Sequence, residues 1–385
     1  MYIIGEEEIA ALRQVIESQE LFRYQRGGES VTEKFEQEFS QKFGGQHTIA
    51  MNSGTSALIC GLAGMGIGPG DEVIVPAYTF MATALAPLAV GAVPIIAEVD
   101  ESLTIDPDDL EQKITPRTKA IIPVHMCGLP CNMEKIMEIA GKHNLLVLED
   151  AAQACGGSYH GQLLGRIGRA GAFSFNQYKI LSCGDGGALL TDDLELFQRA
   201  LIQHDGGCVF RDHSFVTVPF FAGMTFRISE LQSAVLRVQL TRLDNILTSL
   251  RADKRALMDE LAGSSLFRFN QIHDADGDCG TTLALRFESA EQAISCVETL
   301  AEAGIKAKRP IDTGRHVYSN WEPIMQQHGA HHPGRDGFKL RPDQVSYSEE
   351  MCPRTLEILA QTVFLFMTVN RNEEERQQLI RTLKQ

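Results

Sequence analysis

Residues 172–187 read AFSFNQYKILSCGDGG and place a single lysine, Lys179, just before a glycine-rich turn. The apolar residues before Asn176 are typical of a buried strand, and residues 188–190 resume an apolar strand after the turn. A buried lysine loses its charge readily and can act as a nucleophile or form a Schiff base. The alternative is a lysine whose alkyl chain lies on apolar surface while its ammonium reaches water. The stretch alone favours this second interpretation, so the rest of the chain must decide.

The composition of the chain excludes several classes of partner. Its 35 basic and 50 acidic side chains give a net charge of −15, which argues against nucleic acid or an anionic membrane. No apolar run is long enough to span a bilayer, and the acidic N-terminus lacks the basic region of a signal peptide. The nine cysteines are scattered without zinc-site spacing, which favours a reducing, cytoplasmic setting.

The first 250 residues alternate apolar strands with helices. Strands are predicted at residues 47–51, 72–75, 93–97, 119–124 and 145–148, and helices at residues 6–18, 80–90, 133–143 and 227–243. Such alternation is typical of an α/β fold with a mostly parallel, doubly wound sheet. Phenylalanines at positions 35, 39 and 43 recur at helical spacing and are expected in the core. Ligands of such sheets bind beyond the carboxyl ends of the strands.

A second pattern begins near residue 250. Helices are predicted at residues 251–261, 290–303, 353–363 and from 373, strands at 281–287 and 305–307, and a long loop at 320–348. This combination indicates a small C-terminal α+β domain. Because 385 residues exceed one ordinary core, we expect a large domain at 1–248 and a small one at 249–385. His328, His331 and His332 lack a cysteine or carboxylate frame, so no metal site is expected.

Three features lie at predicted strand ends of the large sheet. Residues 52–56 form a small polar turn between a strand and a helix, which suits an anion, although capping by Ser53 or Thr55 is an alternative. Asp150 follows a buried strand and either pairs with a buried cation or caps the next turn. Lys179 is the third feature. Together they suit pyridoxal 5′-phosphate (PLP), whose phosphate, ring nitrogen and aldehyde want an anion site, a carboxylate and an amine.

At these residues the chain resembles the DegT/StrS family of PLP-dependent aminotransferases of fold type I, which act mostly on keto-sugars. The resemblance covers nearly the whole chain. The matching motifs are NSGTSAL at 52–58, GPGDEVIVPAYTF at 68–80, EDAAQA at 149–154, residues 174–187 and FRISEL at 226–231.

The resemblance implies a role for each matching position. Lys179 would form the Schiff base and carry a proton, and Asp150 would pair with the ring nitrogen. The other cofactor contacts it implies are Gly54, Thr55, Ser56 and Ser174 at the phosphate, Phe80 on the ring face and Gln153 near the phenolic oxygen. It also implies a homodimer in which a segment near Thr225 reaches the partner's phosphate site. Asparagine is usual at that position, so threonine puts this contact in doubt, and Asp185 replaces a commoner glutamate.

Some members of the family have histidine in place of the lysine and act as dehydratases, so Lys179 favours transamination. Residues 21–24, 174–187 and 315–323 are similar to the branch of inosose aminotransferases and aminohydroxybenzoate synthases. This branch implies glutamine or glutamate as amino donor and a keto-sugar or cyclic ketone as acceptor. Substrate contacts are expected from Arg227, His316 and Tyr318, with packing as the alternative. The alternative functions are a PLP-dependent dehydratase or aromatising synthase, and a regulatory relative that binds PLP without turnover.

Overall fold

The structure is a computed structural model that describes residues 2–24, 29–206, 215–340 and 345–384. The helices are α1 (Glu6–Ser18), α2 (Val31–Phe43), α3 (Gly54–Gly64), α4 (Ala82–Ala89), α5 (Pro107–Gln112), α6 (Met133–His143), α7 (Leu194–His204), α8 (Glu230–Leu261), α9 (Ala290–Glu302), α10 (Glu322–Met325), α11 (Gly337–Leu340), α12 (Pro353–Ala360) and α13 (Glu373–Leu383). The strands are β1 (His47–Met51), β2 (Glu72–Pro76), β3 (Val93–Ala97), β4 (Thr118–Ile121), β5 (Leu146–Asp150), β6 (Ser158–Tyr159), β7 (Gln162–Leu163), β8 (Ala170–Ser174), β9 (Gly187–Thr191), β10 (Arg268–Phe269), β11 (Thr282–Arg286), β12 (Ala307–Lys308) and β13 (Thr362–Phe366).

Seven strands form the large sheet in the order β1-β9-β8-β5-β4-β2-β3. Neighbouring strands from β3 to β8 are parallel, whereas β9 is antiparallel to both β8 and β1. The prediction of an α/β fold with a mostly parallel sheet is therefore confirmed. Since β1, β5 and β8 run in one direction, their carboxyl ends meet at one edge of the sheet. That edge brings the turn at Asn52, the carboxylate of Asp150 and the loop of Lys179 together.

An aromatic cluster supports the strand that precedes Lys179. The predicted core stripe is confirmed, because Phe35, Phe39 and Phe43 of α2 are at most 3 % exposed. Their rings contact Phe173 and Phe175, on both sides of Ser174, with ring centroids 5.0 to 5.8 Å apart. Packed rings of this size stabilise both by buried area and by edge-to-face geometry. The core packing of Phe173 and Phe175 therefore holds Ser174, which lies between them, in place.

Helix α8 corrects the prediction of two separate helices at 227–243 and 251–261. It starts at Glu230, where Ser229 caps the first turn, and continues to Leu261 without a break. Leu247 and Leu250 are buried, so its apolar stripe passes through the expected gap. The proposed domain boundary after residue 248 falls inside this helix. The chain therefore passes from the large sheet to the small sheet along one rigid element.

The small sheet has the order β10-β11-β13-β12. The predicted helix at 353–363 is wrong at its end, because α12 stops at Ala360 and residues 362–366 form β13. The sequence TVFLF combines β-branched and aromatic residues, which fit a pleated buried surface. The predicted strand at 305–307 is displaced to β12, and the predicted loop at 320–348 contains α10 and α11, with residues 341–344 outside the described residues.

Within the described ranges, no helix is both long enough and apolar enough to cross a bilayer. In the same parts of the chain, no three histidine, cysteine or acidic side chains are arranged to hold a metal ion. The eight cysteines that the structure describes are free thiols.

Candidate active site

Asp150 is the last residue of β5 and is only 4 % exposed. The Thr83 hydroxyl, on the first turn of α4, donates to Asp150 Oδ2 at 2.8 Å, and the Ala152 N–H donates to Oδ1 at 3.1 Å. Burial raises the pKa of Asp150, while these two hydrogen bonds and the charge of Lys179 oppose the rise. Asp150 therefore caps the turn after β5, as the alternative interpretation expected, and also lies within electrostatic reach of Lys179. Sequence reasoning missed Thr83, which no motif distinguishes.

Lys179 lies in the loop between β8 and β9 and is half-buried. The loop is a tight continuation of the hairpin, since the Gln177 N–H donates to the Gly184 carbonyl at 3.0 Å and Gly184 has a φ of 90°. Glycine is needed there because other residues rarely adopt that conformation. Burial lowers the pKa of Lys179, and the negative charge of Asp150 raises it. Lys179 and the Asp150 carboxylate therefore lie within electrostatic reach of each other.

Glu149, directly before Asp150, is a second buried carboxylate that the sequence did not single out. Its oxygens accept hydrogen bonds from the backbone N–H groups of Gly165, Ile167 and Gly168 at 2.6 to 2.8 Å. His125 Nε2 lies 3.0 Å from Oε2. Because His125 Nδ1 accepts the Cys131 N–H at 3.1 Å, the ring proton is on Nε2 and donates to Glu149. All four donors converge on one side chain that points away from Asp150 along the pleat.

The first turn of α3 forms a cradle for an anion. Ser53 caps the helix by accepting the Ser56 N–H at 3.1 Å, and the Ser56 hydroxyl donates to Asn52 Oδ1 at 2.7 Å. In the described part of the chain, no hydrogen bond is assigned to the N–H groups of Gly54 and Thr55, which begin the helix. Such unpaired amides at a helix N-terminus bind anions. The Ser56 hydroxyl, expected at the phosphate, is instead engaged within the turn.

Gly54 also permits a close approach to β8. A Cβ atom at this position would lie 2.8 Å from Ser174 Cβ and 3.3 Å from the Phe173 carbonyl oxygen, so only glycine fits. Ser174 ends β8 and is 8 % exposed. The amides of α3 and the hydroxyl of Ser174 are therefore adjacent, as the phosphate assignment requires.

Phe80 follows β2 and is 45 % exposed, an unusual state for a large aromatic ring beside buried strand ends. It was expected to start a helix, but α4 begins at Ala82. Its ring centroid lies 5.4 Å from that of His316. Burial lowers the pKa of the His316 ring, and the nearby charges of Lys179 and Lys308 lower it further. Gln153 Oε1 accepts the Cys127 N–H at 3.2 Å.

The segment with Thr225 and Arg227 lies beside the cradle of the same chain. The Asn52 N–H donates to the Phe226 carbonyl at 2.8 Å, and Thr225 is exposed. Arg227 Nη1 donates to Asp205 Oδ1 at 2.5 Å, and the Tyr24 hydroxyl donates to the other oxygen of that buried carboxylate. Arg227 is thus held by an ion pair in the single chain.

Tyr318 does not have the expected geometry of a substrate contact. Its side chain is fully buried. Its hydroxyl donates to the Glu349 carbonyl at 2.5 Å and accepts the Cys352 N–H at 3.0 Å. Both hydrogen-bonding capacities of the hydroxyl are used by backbone groups, which corresponds to the packing alternative.

These residues fit the groups of PLP. The unpaired amides and the glycine cradle suit its phosphate, Phe80 offers an exposed aromatic face, and Asp150 supplies a buried carboxylate opposite an amine. The same set meets at one edge of the sheet, which is where ligands of such folds bind. An enzyme of this kind moves protons and electrons at a carbon that carries an amine.

Comparison with known proteins agrees with this geometry. The model of the DegT/DnrJ/EryC1/StrS aminotransferase family matches residues 2–384. GDP-perosamine synthase of Caulobacter vibrioides is 42 % identical over 218 residues, which are 56 % of this chain and 58 % of that protein. The 3-amino-5-hydroxybenzoate synthase of Amycolatopsis mediterranei is 34 % identical over 291 residues, 74 % of each chain. The L-glutamine:2-deoxy-scyllo-inosose aminotransferase of Streptomyces kanamyceticus is 38 % identical over 245 residues, 61 % of this chain and 57 % of that protein.

The chain spans less than two thirds of the length of the perosamine and inosose relatives that it matches. Among solved structures, 3-amino-5-hydroxybenzoic acid synthase superposes with a TM-score of 0.82 at 29 % identity, covering 100 % of this chain and 97 % of that one. DesV of S. venezuelae, solved in complex with a ketimine intermediate, gives a TM-score of 0.80 at 32 % identity, covering 98 % and 93 %. Both members of the branch identified from sequence are thus among the relatives.

Proposed function

The chain belongs to the DegT/DnrJ/EryC1/StrS aminotransferase family, and on this premise we propose that it is a PLP-dependent aminotransferase. It takes an amino group from glutamine or glutamate and transfers it to a keto-sugar or cyclic ketone. The observation that carries the proposal is that Lys179, the buried Asp150 and the cradle at Gly54 and Thr55 meet at one edge of the large sheet. The names of the relatives support the donor and acceptor classes.

The cofactor is pyridoxal 5′-phosphate, which when bound supplies an aldehyde for amines and a ring that draws electrons from the substrate carbon. Burial lowers the pKa of Lys179, so its Nζ is more readily available as a neutral nucleophile and proton carrier. Asp150 holds a proton at the ring nitrogen. The hydrogen bonds from Thr83 and Ala152 favour its charged form against the cost of burial.

The remaining residues orient the cofactor. The amides of Gly54 and Thr55, with the hydroxyls of Thr55 and Ser174, bind its phosphate at the N-terminus of α3. The exposed ring of Phe80 would stack on the cofactor ring and shield it from water. Gln153, whose Oε1 already accepts the Cys127 N–H, would contact the cofactor near its phenolic oxygen. These residues therefore contribute binding and orientation of the cofactor rather than new chemistry.

The working unit that we infer is a cytoplasmic homodimer. Thr225 is exposed in the single chain and is flanked by Phe221 and Met224, which are 38 % and 58 % exposed. Exposed apolar residues next to each other are typical of a subunit interface. In this dimer Thr225 reaches the partner's phosphate site with its hydroxyl, which is shorter than the usual asparagine amide. His316, next to Phe80, and Arg227 are the substrate contacts that we retain.

An aromatising synthase or dehydratase is the alternative, since one relative is named as a synthase of an aromatic product, 3-amino-5-hydroxybenzoate. Product analysis with a candidate ketone separates the two functions. Only transamination consumes one donor nitrogen for each product formed. A product that forms without loss of donor nitrogen would favour the alternative.

Lys179→Ala is the direct test of the aminotransferase proposal. The purified wild-type protein loaded with PLP should show the absorbance band of a lysine-bound cofactor, and glutamine or glutamate should bleach it. The variant should bind the cofactor without this band and should not transfer nitrogen, because among the described residues Lys179 is the lysine whose charge acts on Asp150. Lys135→Ala, which removes an exposed lysine paired with Glu138, should retain both properties. A band that persists in Lys179→Ala without added amine would contradict the assignment.

A further inference from the structure

One face of the small sheet is directed at the active site. In the register of the sheet, Lys308 and Ala284 both lie opposite Phe364, and Thr282 lies opposite Phe366. Directly opposed residues, and residues two apart on one strand, point to the same face. The Phe364 ring packs against Tyr78, with centroids 6.4 Å apart, two residues before Phe80. Lys308 therefore lies on the face that contacts the large domain.

Lys308 is a cation without a carboxylate partner among the described residues. Its Nζ lies 5.2 Å from the centroid of the Phe366 ring, which is its one recorded polar or aromatic contact in those parts of the chain. The chain has 15 more acidic than basic side chains, so carboxylates are abundant. An exposed lysine that is held over a ring at a site edge, and not paired, is positioned for an external anion.

The ammonium of Lys308 acts on two groups that Lys179 also reaches. Burial raises the pKa of the Cys127 thiol to about 11, and the charges of Lys308 and Lys179 oppose this rise. The pKa of His316 is lowered by burial first, and then by the same two lysines. Cys127 and His316 thus lie within electrostatic reach of both ammonium groups. Lys308 therefore adds a positive charge to the region of Cys127 and His316.

We propose that Lys308 binds the carboxylate of the amino donor. The inference rests on the proposed function. An α-amino acid carries its carboxylate on the same carbon as the reacting amine, so the cation that binds it must lie next to the lysine that exchanges with that amine. The position of Lys308, on the sheet face that closes over Tyr78 and near His316, meets this requirement. A phosphate of a nucleotide-linked acceptor is also negatively charged, but it does not need to lie next to the reacting amine.

The test is Lys308→Gln, with Lys308→Arg as the conservative variant. With the PLP-loaded protein, the glutamine concentration that half-bleaches the absorbance band should rise roughly 10- to 100-fold in Lys308→Gln, the usual value of a hydrogen bond between charged groups. The maximal bleaching rate should change much less, and Lys308→Arg should restore most of the affinity. Lys306→Gln removes an equal charge two residues earlier and should behave as wild type. The unperturbed band itself reports that each variant is folded and loaded.

Two probes identify the anion. L-glutaminamide, in which a neutral amide replaces the α-carboxylate, should react weakly with wild type and no more weakly with Lys308→Gln. Pyrophosphate should inhibit wild type and Lys308→Gln alike. The inference is overturned if Lys308→Gln leaves the glutamine constant unchanged, or if it loses pyrophosphate inhibition instead. A wild-type protein that no amino donor bleaches would refute the proposed function itself, which separates the two failures.

Discussion

Glu149 and Asp150 are neighbouring carboxylates at the end of β5, and the chain uses them in opposite ways. Glu149 accepts four hydrogen bonds and is fully buried among its donors. Asp150 accepts two and faces Lys179. The strand pleat sends one side chain towards the loop at 165–168 and the other towards the cofactor edge. Both carboxylates are buried, but the number of hydrogen-bond donors differs. We therefore assign Glu149 a structural role and Asp150 a chemical one.

The difference between the two residues separates a carboxylate that stabilises the fold from one that serves the chemistry. A carboxylate that is saturated by donors contributes to stability, and its loss leaves several buried N–H groups unpaired. A carboxylate with few donors is costly to keep charged and is retained for its chemistry. The pair therefore offers a direct experiment, because the same substitution of carboxylate by amide should have different consequences at the two positions.

Asp150→Asn should have the largest effect on activity. The amide oxygen can accept the Ala152 N–H, and the NH2 group can donate to the Thr83 hydroxyl, which can rotate to accept. Asparagine cannot hold a proton at the ring nitrogen, so kcat/KM should fall about 10²- to 10⁴-fold. Burial raises the pKa of Asp150, and a raised carboxylate pKa means that stability is lost as pH rises through it. The variant should therefore be at least as stable as wild type at neutral pH, measured by thermal unfolding without cofactor. Asp244→Asn, at an exposed ion pair, is the control, and a large loss of stability in Asp150→Asn would contradict the comparison.

Glu149→Gln should have the opposite profile. The NH2 group of glutamine would face backbone N–H groups, which are also donors, and would leave those near Gly165 and Gly168 unpaired. The free energy of unfolding should therefore fall by about 3 kcal/mol. Denaturant unfolding measures this loss. Glu138→Gln, in an exposed ion pair, should change stability by less than about 0.5 kcal/mol. If Glu149→Gln were as stable as wild type but inactive, Glu149 would belong to the chemistry and the contrast would fail.

Thr83→Val should have the smallest effect and sharpens the contrast. Its hydroxyl lowers the pKa of Asp150 against the effect of burial, so valine should let Asp150 take up its proton at a higher pH. The acid limb of the pH profile of kcat/KM should shift upward, with a loss of roughly 3- to 10-fold on that limb. The Thr79 hydroxyl lies 2.8 Å from that of Thr83 and does not touch Asp150, so Thr79→Val should shift the limb less. Equal profiles for Thr83→Val and wild type would argue against tuning by this hydroxyl.

The sequence predicted the elements in which local and tertiary signals agree. The motif around Gly54 combines a strand, a capping serine and an apolar helix, and each part points to the same turn. The core stripe beginning at Phe35 has helical spacing and a capping box before it. The prediction of a helix up to residue 363 was wrong because the mostly apolar residues 358–366 fit a helix as well as a strand, and only the pairing of β13 with β11 and β12 decides between them.

The site was predictable only as far as its motifs extend. Asp150 and Lys179 stand out because a charged residue beside a buried strand needs a reason. Thr83 and Lys308 do not, since an exposed lysine and a threonine near a helix start are ordinary on their own. Their roles depend on which strands and helices meet, and that is set by contacts between distant parts of the chain. The packing of Tyr318 was equally hidden from the sequence, because the backbone groups that bind its hydroxyl lie more than 30 residues further on.

The long helix α8 has a consequence for how the chain is made. Its Glu230 accepts the Val31 N–H, 199 residues earlier, and its Gln239 donates to the Ile3 carbonyl, 236 residues earlier. Towards its C-terminal end, Asp253 accepts a hydrogen bond from Arg371. One helix of about 48 Å therefore contacts segments near both ends of the chain. During synthesis, α1 and α2 leave the ribosome long before this partner exists. The nascent chain must therefore leave α1 without its partner until the first half of α8 has emerged, whereas the phenylalanines of α2 can pack earlier on Phe173 and Phe175.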